Sequence, residues 1–471
     1  MTSSASGRGW LLPRKFLAGA VALLGTLFAP GPGHAVPSYA EQTGQACASC
    51  HIGAFGPQLT PFGRAFKNGG YTLQGGTGPL ADVPISAIAL GSFNNTAKRV
   101  PADNVTPHYA SNNNFTIDAV ALYFAGRITD FSGAFVQGTY SGINRSFHLD
   151  LTDIRPFTTM VNLGGKDLRI GTTINNTPTV TDPYNSTFAW GYPYVASGLA
   201  PTPAAQPVLA NGFAGNSLGL TAYAWYDNSL YLEAGGYQTY SPYLLARTGA
   251  FYGTGQSQGI APYARAAYEW NWSGQSAHVG ALYFRANTYP LITNRSSNRA
   301  FGADQFTDTG VDVGYQWLGD THIVTFDGIY LHEHQALNGT TGISNDSNGT
   351  GFGSGFGLNQ VRATTSYWYE NTYGATVAWQ KTFGAANPVL YGPLPVSGSR
   401  NAKPNSNAFI FELSYVPFGK TGSWGSPLAN LRLGVSYTAY TQFNGASHNY
   451  DGFGRNASDN NTLFLYSFLS F

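Results

Sequence analysis

From residue 85 to its end the chain repeats one unit: about ten residues in which apolar and polar side chains alternate, then a stretch rich in turn formers. A period of two gives a strand with one apolar and one polar face. Sixteen such segments are marked, at 85–95, 115–126, 131–140, 147–155, 167–175, 218–226, 229–238, 261–271, 275–286, 307–317, 321–334, 360–369, 371–382, 407–418, 430–443 and 461–471. In the tenth, Thr309, Val311, Val313, Tyr315 and Trp317 oppose Asp308, Gly310, Asp312, Gly314 and Gln316. The thirteenth and fifteenth are as regular, whereas the second and ninth alternate less clearly.

An even number of antiparallel strands closes on itself, and bacterial barrels are built this way. The gaps obey the same parity. With both barrel termini at one end, the connections there are mostly short (127–130, 227–228, 272–274, 318–320 and 370). Those at the other end are mostly long (96–114, 176–217, 239–260, 287–306, 335–359, 383–406 and 444–460). Three gaps break the rule: 141–146 is short for an outer loop, and 156–166 and 419–429 are long for inner turns.

Composition narrows the class. The chain is 10% charged, whereas soluble domains carry roughly 25%. Past residue 30 no apolar run approaches the ~20 residues of a spanning helix. Lys+Arg (24) nearly cancels Asp+Glu (23), which argues against a nucleic-acid binder with its basic stripe. Aromatic residues reach 15%, an excess that girdles at membrane interfaces account for. The expected fold class is all-β: a transmembrane antiparallel β-barrel of about sixteen strands. Phe471 ends an amphipathic strand, which resembles the signal read by the outer-membrane assembly machinery.

The N-terminus reads as a secretory signal. Arg8, Arg14 and Lys15 precede the apolar stretch Phe16–Phe28, and Gly33-His34-Ala35 offers small residues for cleavage after Ala35. The expected division is signal peptide 1–35, a small segment 36–84 and the barrel 85–471.

That small segment holds both cysteines of the chain, in Cys47-Ala48-Ser49-Cys50-His51. C-x-x-C-H is the attachment pattern of haem c. Each thiol adds across one vinyl group, and the adjacent imidazole reaches the iron as proximal ligand. A zinc site would need a second ligand pair nearby, and a redox disulfide would leave the histidine unexplained. One covalent haem c on Cys47, Cys50 and His51 is therefore expected. Thr60 and Pro61 start a short helix that Gly69-Gly70 ends. Phe62 and Phe66, four residues apart on it, are candidates to lie against the haem, or simply to fill a small core. Arg64 or Lys67 is a candidate for its propionates, or a solvated charge. The sixth iron ligand stays open: His278 and Met160 are candidates, as are His148 and His322, or no protein ligand. His332 and His334 share a face at an outer strand end, as a candidate outer iron contact or as rim histidines without a role.

Gln42-Thr43-Gly44, the C-x-x-C-H motif, Pro57-x-Leu59-Thr60-Pro61-Phe62-Gly63-Arg64-x-Phe66-Lys67 and Gly70-Tyr71, ahead of a porin-like barrel, resemble the outer-membrane fused monohaem cytochrome c–porins. The close match covers residues 37–71. Family members of the best-known type are extracellular iron oxidases. The resemblance implies an outer-membrane protein whose N-terminal side is periplasmic and whose long loops are extracellular. It implies a haem segment plugging the barrel, and electrons passing from extracellular Fe(II) through the haem to a periplasmic cytochrome c or cupredoxin. Two other readings share this build: a conduit for a different donor or acceptor, and a diffusion porin with a haem-bearing plug. Few outer-loop acids (among them Asp103, Asp182, Asp304 and Asp346) and many Asn, Gly, Ser and Thr would suit acidic surroundings. No triad, phosphate loop or metalloprotease motif is present, so iron(II) oxidase activity rests on the resemblance.

Overall fold

The computed structural model describes residues 36–349 and 351–471; the expected signal peptide, 1–35, lies outside them. Sixteen long strands form one sheet: β1 Ile85–Thr96, β2 Asn114–Thr129, β3 Ser132–Ser141, β4 Ser146–Leu163, β5 Lys166–Asn175, β6 Ser217–Tyr226, β7 Leu230–Thr239, β8 Ala261–Trp272, β9 Gln275–Tyr289, β10 Asp304–Leu318, β11 His322–Ala336, β12 Gly355–Tyr369, β13 Tyr373–Gly384, β14 Ser406–Tyr415, β15 Asn430–Gln442 and β16 Thr462–Ser470. The two-residue strand Gln256–Ser257 adds to the end of β9. Each long strand pairs antiparallel with its sequence neighbours. β1 pairs with both β2 and β16, so the sheet is a closed barrel.

Its surface is inside-out relative to a soluble protein. On β10 the outward Val311 and Val313 are 52% and 42% exposed, while the inward Asp308 and Asp312 are 0% and 1%. Closure leaves no strand edge to desolvate, and the apolar exterior matches a hydrocarbon surround. No helix among the described residues is long and apolar enough to cross a membrane. This is a transmembrane barrel of the outer-membrane type, as the alternation led us to expect.

One irregular gap dissolves. β4 does not stop at 155 but runs on to Leu163. The register shifts between Ile154 and Phe157, where Pro156 cannot donate to the ladder and a bulge absorbs it. With the short-turn end that carries both barrel termini called inner and the long-loop end called outer, the inner turn after β4 is then Gly164-Gly165, at φ 63° and 82°. Met160, expected in a turn, lies in the strand. The long inner connection 416–429 remains, because it reaches across the mouth to the N-terminal segment, where Ala48 N donates to the Gly419 carbonyl at 3.0 Å.

A second correction concerns residues 176–216, expected as an outer loop. They turn inward. Val180, Tyr184, Phe188, Trp190, Tyr192 and Val208 are all buried, and this stretch fills the outer half of the lumen. Residues 36–71 fill the inner half. The unclear alternation of β2 and β9 has its cause here. Ala119, Ala121, Tyr123 and Ala125 of β2 point inward into a core shared by the N-terminal segment and the loop, and Leu282 and Phe284 of β9 point inward onto the loop. Where the lumen is packed with protein, both faces of a strand become apolar.

Candidate functional site at the inner mouth

The N-terminal segment is three short helices folded over one another. α1, Pro37–Thr43, starts at a proline and ends at Gly44 in the left-handed conformation. It is fixed to the wall: Ser38 Oγ donates to the Ala125 carbonyl and Tyr39 OH to the Ala134 carbonyl, both at 2.7 Å. Gln42 Nε2 donates to the Tyr71 carbonyl, and its Oε1 accepts from Arg127 N. α2, Cys47–Cys50, is one helical turn that sets both thiols side by side. α3, Pro61–Asn68, has the expected cap: Thr60 Oγ1 accepts from Gly63 N at 3.1 Å. Two glycines allow the fold to be this tight. A Cβ on Gly63 would lie 2.3 Å from the Cys50 carbonyl oxygen, and one on Gly53 (φ 67°) would enter the Trp368 ring.

The expected attachment residues therefore meet at the inner mouth. Cys47 is buried and Cys50 half-buried, and both are free thiols. Burial pushes the Cys47 thiol up to about 11 and the Cys50 thiol up to about 12. His51 follows at the end of α2, and burial lowers its imidazole to about 4. It is thus neutral, the form that ligates iron. Its Nδ1 is buried with no hydrogen-bond partner. Two unpaired thiols on one turn and a neutral imidazole form the donor set that haem c requires. The residues present fit the group.

The two cations of α3 point into the barrel. Arg64 is 2% exposed; it donates to the Leu59 carbonyl, Gln316, Ser276 and Glu269, the last at 2.7 Å. Lys67 Nζ donates to the carbonyls of Val180 and Asp182 and to Asn185 Oδ1, and burial lowers it to about 7. α3 is thus joined to both the wall and the inward loop. The two phenylalanines, expected to share a role, part company. Phe66 is buried and meets Tyr39 edge-on at 4.9 Å, whereas Phe62 is 40% exposed at the mouth.

The candidate sixth ligands scatter. His278 does face the lumen, where it stacks on Tyr184 at 3.8 Å and pairs with Asp312 at 3.3 Å. Met160 is 56% exposed, next to Arg169. His322 is exposed and bonded to Tyr367, and His148 stands by Asp150. His332 and His334 face outward, His332 bonded to Asn359, while Glu333 between them points inward. Among the described residues no three His, Cys, Asp or Glu side chains gather into a metal site.

A buried charge network went unread in the sequence. Arg265 of β8 bridges Asp312 of β10 at 2.8 Å and Asp182 of the loop at 2.9 Å, all three essentially inaccessible. Ionised groups this deep persist only when paired. A signal existed: in a chain with so few charges, Arg265, Glu269, Asp308, Asp312 and Glu333 all fall on the inward phase of spanning strands.

No family model and no curated protein matches the chain. Solved structures do. An anion-selective porin from Comamonas acidovorans superposes with a TM-score of 0.45 at 12% identity, over 82% of this chain and 98% of that one. OprB of Pseudomonas putida gives 0.45 at 11%, over 82% and 94%. The outer-membrane channel DcaP of Acinetobacter baumannii gives 0.42 at 12%, over 82% and 96%. These are likenesses of fold alone.

Proposed function

We infer that the chain is an outer-membrane c-type cytochrome–porin that passes electrons from extracellular Fe(II) to a periplasmic carrier. One observation carries the reading: the C-x-x-C-H segment is built into the inner mouth of a closed barrel whose lumen is filled from both ends. A barrel sealed in this way is poorly suited to bulk diffusion, and its two cysteines stand unpaired on one helical turn. Cys47 and Cys50 would hold the haem covalently and His51 would ligate its iron, which supplies one-electron chemistry. The protein's own part is positional. α1 and α3 fix α2 to the wall, the packed lumen excludes water, and the mouth leaves Phe62 and the half-buried Cys50 facing the periplasm. A buried thiol is a poor reactant, so attachment would precede docking of the segment in the barrel. With donor and carrier on opposite sides, the barrel serves as an insulating sleeve.

The test uses outer-membrane fractions. A pyridine haemochrome spectrum should show one covalent haem per chain, and Fe(II) should reduce it. Absence of a Soret band defeats the cofactor assignment. A haem that Fe(II) never reduces defeats the donor and leaves a conduit for another couple.

A second reading, a diffusion porin with a haem-bearing plug, is favoured by the polar lumen wall: Gln137, Thr139, Thr173, Thr221 and Glu233 all face inward. Planar-bilayer conductance decides between them. Steady open channels from the intact protein would support the porin; closed barrels would support the conduit.

A further inference from the structure

The lipid-facing exterior is not uniform. Across β13–β16 it is paved with large side chains in register, Val377 beside Phe411 and Leu413 beside Val435. Across β5–β9 the same membrane depth is paved with small ones. Thr172, Ala222, Ala234 and Ala264 stand side by side in one row, and Ala266 and Ala281 in the next. The result is a concavity of about 790 Å³ on the outside of the barrel, whose lining also includes Phe157, Leu232 and Tyr283. That volume is in the range of a ligand site. Five strands span about 19 Å at the spacing of a sheet, room for several acyl chains side by side.

The charges at the long-loop end of this sector are of one sign. Arg285 is the next outward residue on β9 beyond Tyr283 and is exposed. Arg295 and Arg299 follow in the connection after β9, where Arg299 lies over the Tyr289 ring. Arg247 is exposed on the short helix Pro242–Thr248 of the preceding loop. Between residues 239 and 303 the sole carboxylate is Glu269, which faces the lumen. None of these four arginines pairs with an acid among the described residues. Guanidinium groups match phosphate in geometry and charge.

The geometry points to a built-in site for a phosphorylated, multiply acylated glycolipid of the outer leaflet. Its chains lie in the alanine-paved concavity, and its phosphates meet Arg285, Arg295 and Arg299. The unpaired arginines above the concavity favour a phosphate-bearing occupant over a second copy of this charge-poor barrel. The site is independent of the haem, and it requires the long loops to lie on the glycolipid side.

The test is lipid retention by full-length protein purified in detergent, read by native mass spectrometry. The probes are lipopolysaccharide, its dephosphorylated form and phosphatidylglycerol. Lipopolysaccharide should be retained, and dephosphorylation should weaken it about tenfold or more, the scale of lost charge-assisted contacts. Arg285→Ser, Arg295→Ser and Arg299→Ser together should do the same. Ala234→Leu with Ala266→Leu should weaken it with the phosphates intact. Heat-modifiable migration on gels verifies that each variant is a folded barrel. Equal retention of the dephosphorylated form, equal retention by the arginine variant, or equal retention of phosphatidylglycerol overturns the assignment. So does a change in oligomer size in the leucine variant, which would make this face a contact between copies.

Discussion

Two segments occupy the lumen, and they differ in how they are held. Residues 36–71 enter from the inner end as three short helices and carry the cysteines. Residues 176–216 enter from the outer end with little regular structure, held by their polar groups. Val208 N donates to Glu333, and Leu209 N to Asp308 at 2.8 Å. Asp182 accepts from the backbone of Tyr184, Ser186 and Thr187, and pairs with Arg265. The helices make backbone hydrogen bonds of their own and are tied to the barrel as well, through Ser38, Tyr39, Gln42 and Arg64. The loop is held partly by its own turns and partly by carboxylates projected from β10 and β11. The inner segment thus carries regular structure of its own, and the outer one does not.

The largest test of this contrast is chemical. Changing Cys47 and Cys50 to serine should abolish the covalent haem band entirely, while the barrel still shows heat-modifiable migration. The matching change on the other side is to replace residues 178–206 by a short glycine–serine linker. Conductance in planar bilayers should rise from closed to partly open, with the haem retained. Loss of the haem band in that variant would show that the two segments are not separable.

Next in size is Glu269→Ala. It leaves the Arg64 guanidinium buried without its counter-charge, which costs about 3–5 kcal/mol. Release of the plug in urea, followed by protease access to residues 36–71, should shift to lower denaturant without loss of the barrel. Arg64→Met with Glu269→Leu should recover much of that loss, because the desolvated pair is removed together.

Lys67 gives a smaller, pH-dependent effect. Its ordinary value is 10.5 and burial lowers it to about 7. Between those values the undocked segment binds more protons than the docked one, so docking strengthens as pH rises. The gain is complete above about 10.5 and is lost as pH falls through about 7. Protease access to the plug should therefore be lower at pH 9 than at pH 6, and Lys67→Met should flatten the difference. The smallest expected effect is Thr60→Ala, which removes the cap of α3 and costs about 1 kcal/mol, read in the same unfolding experiment.

The barrel and the C-x-x-C-H turn were legible because both are local. Alternation of period two needs no knowledge of distant residues, and all sixteen strands were found from it. The motif Cys47–His51 is contained in one turn and its neighbour. Even the misreading at 156–166 has a local cause, a proline that reads as a break yet is absorbed as a bulge. The inward course of 176–216 was not legible. Its Asn, Pro, Thr and Tyr residues suit a solvent loop equally well, and what draws it in is Arg265, Asp308 and Glu333, residues distant in sequence. Phe62 and Phe66 teach the same lesson: their spacing placed them together, but the barrel wall covers one and leaves the other at the mouth.

Side-chain period, charge scarcity and the spacing of two thiols and an imidazole are properties of the chain alone, and they determined the closed sheet and the proposed cofactor chemistry. Which way loops turn, which cations are buried and where the exterior recedes depend on surfaces that exist only after closure. The burial of Arg64 against Glu269 and of Asp182 against Arg265 brings together residues that only the finished cylinder sets within reach, and there the tertiary structure decided.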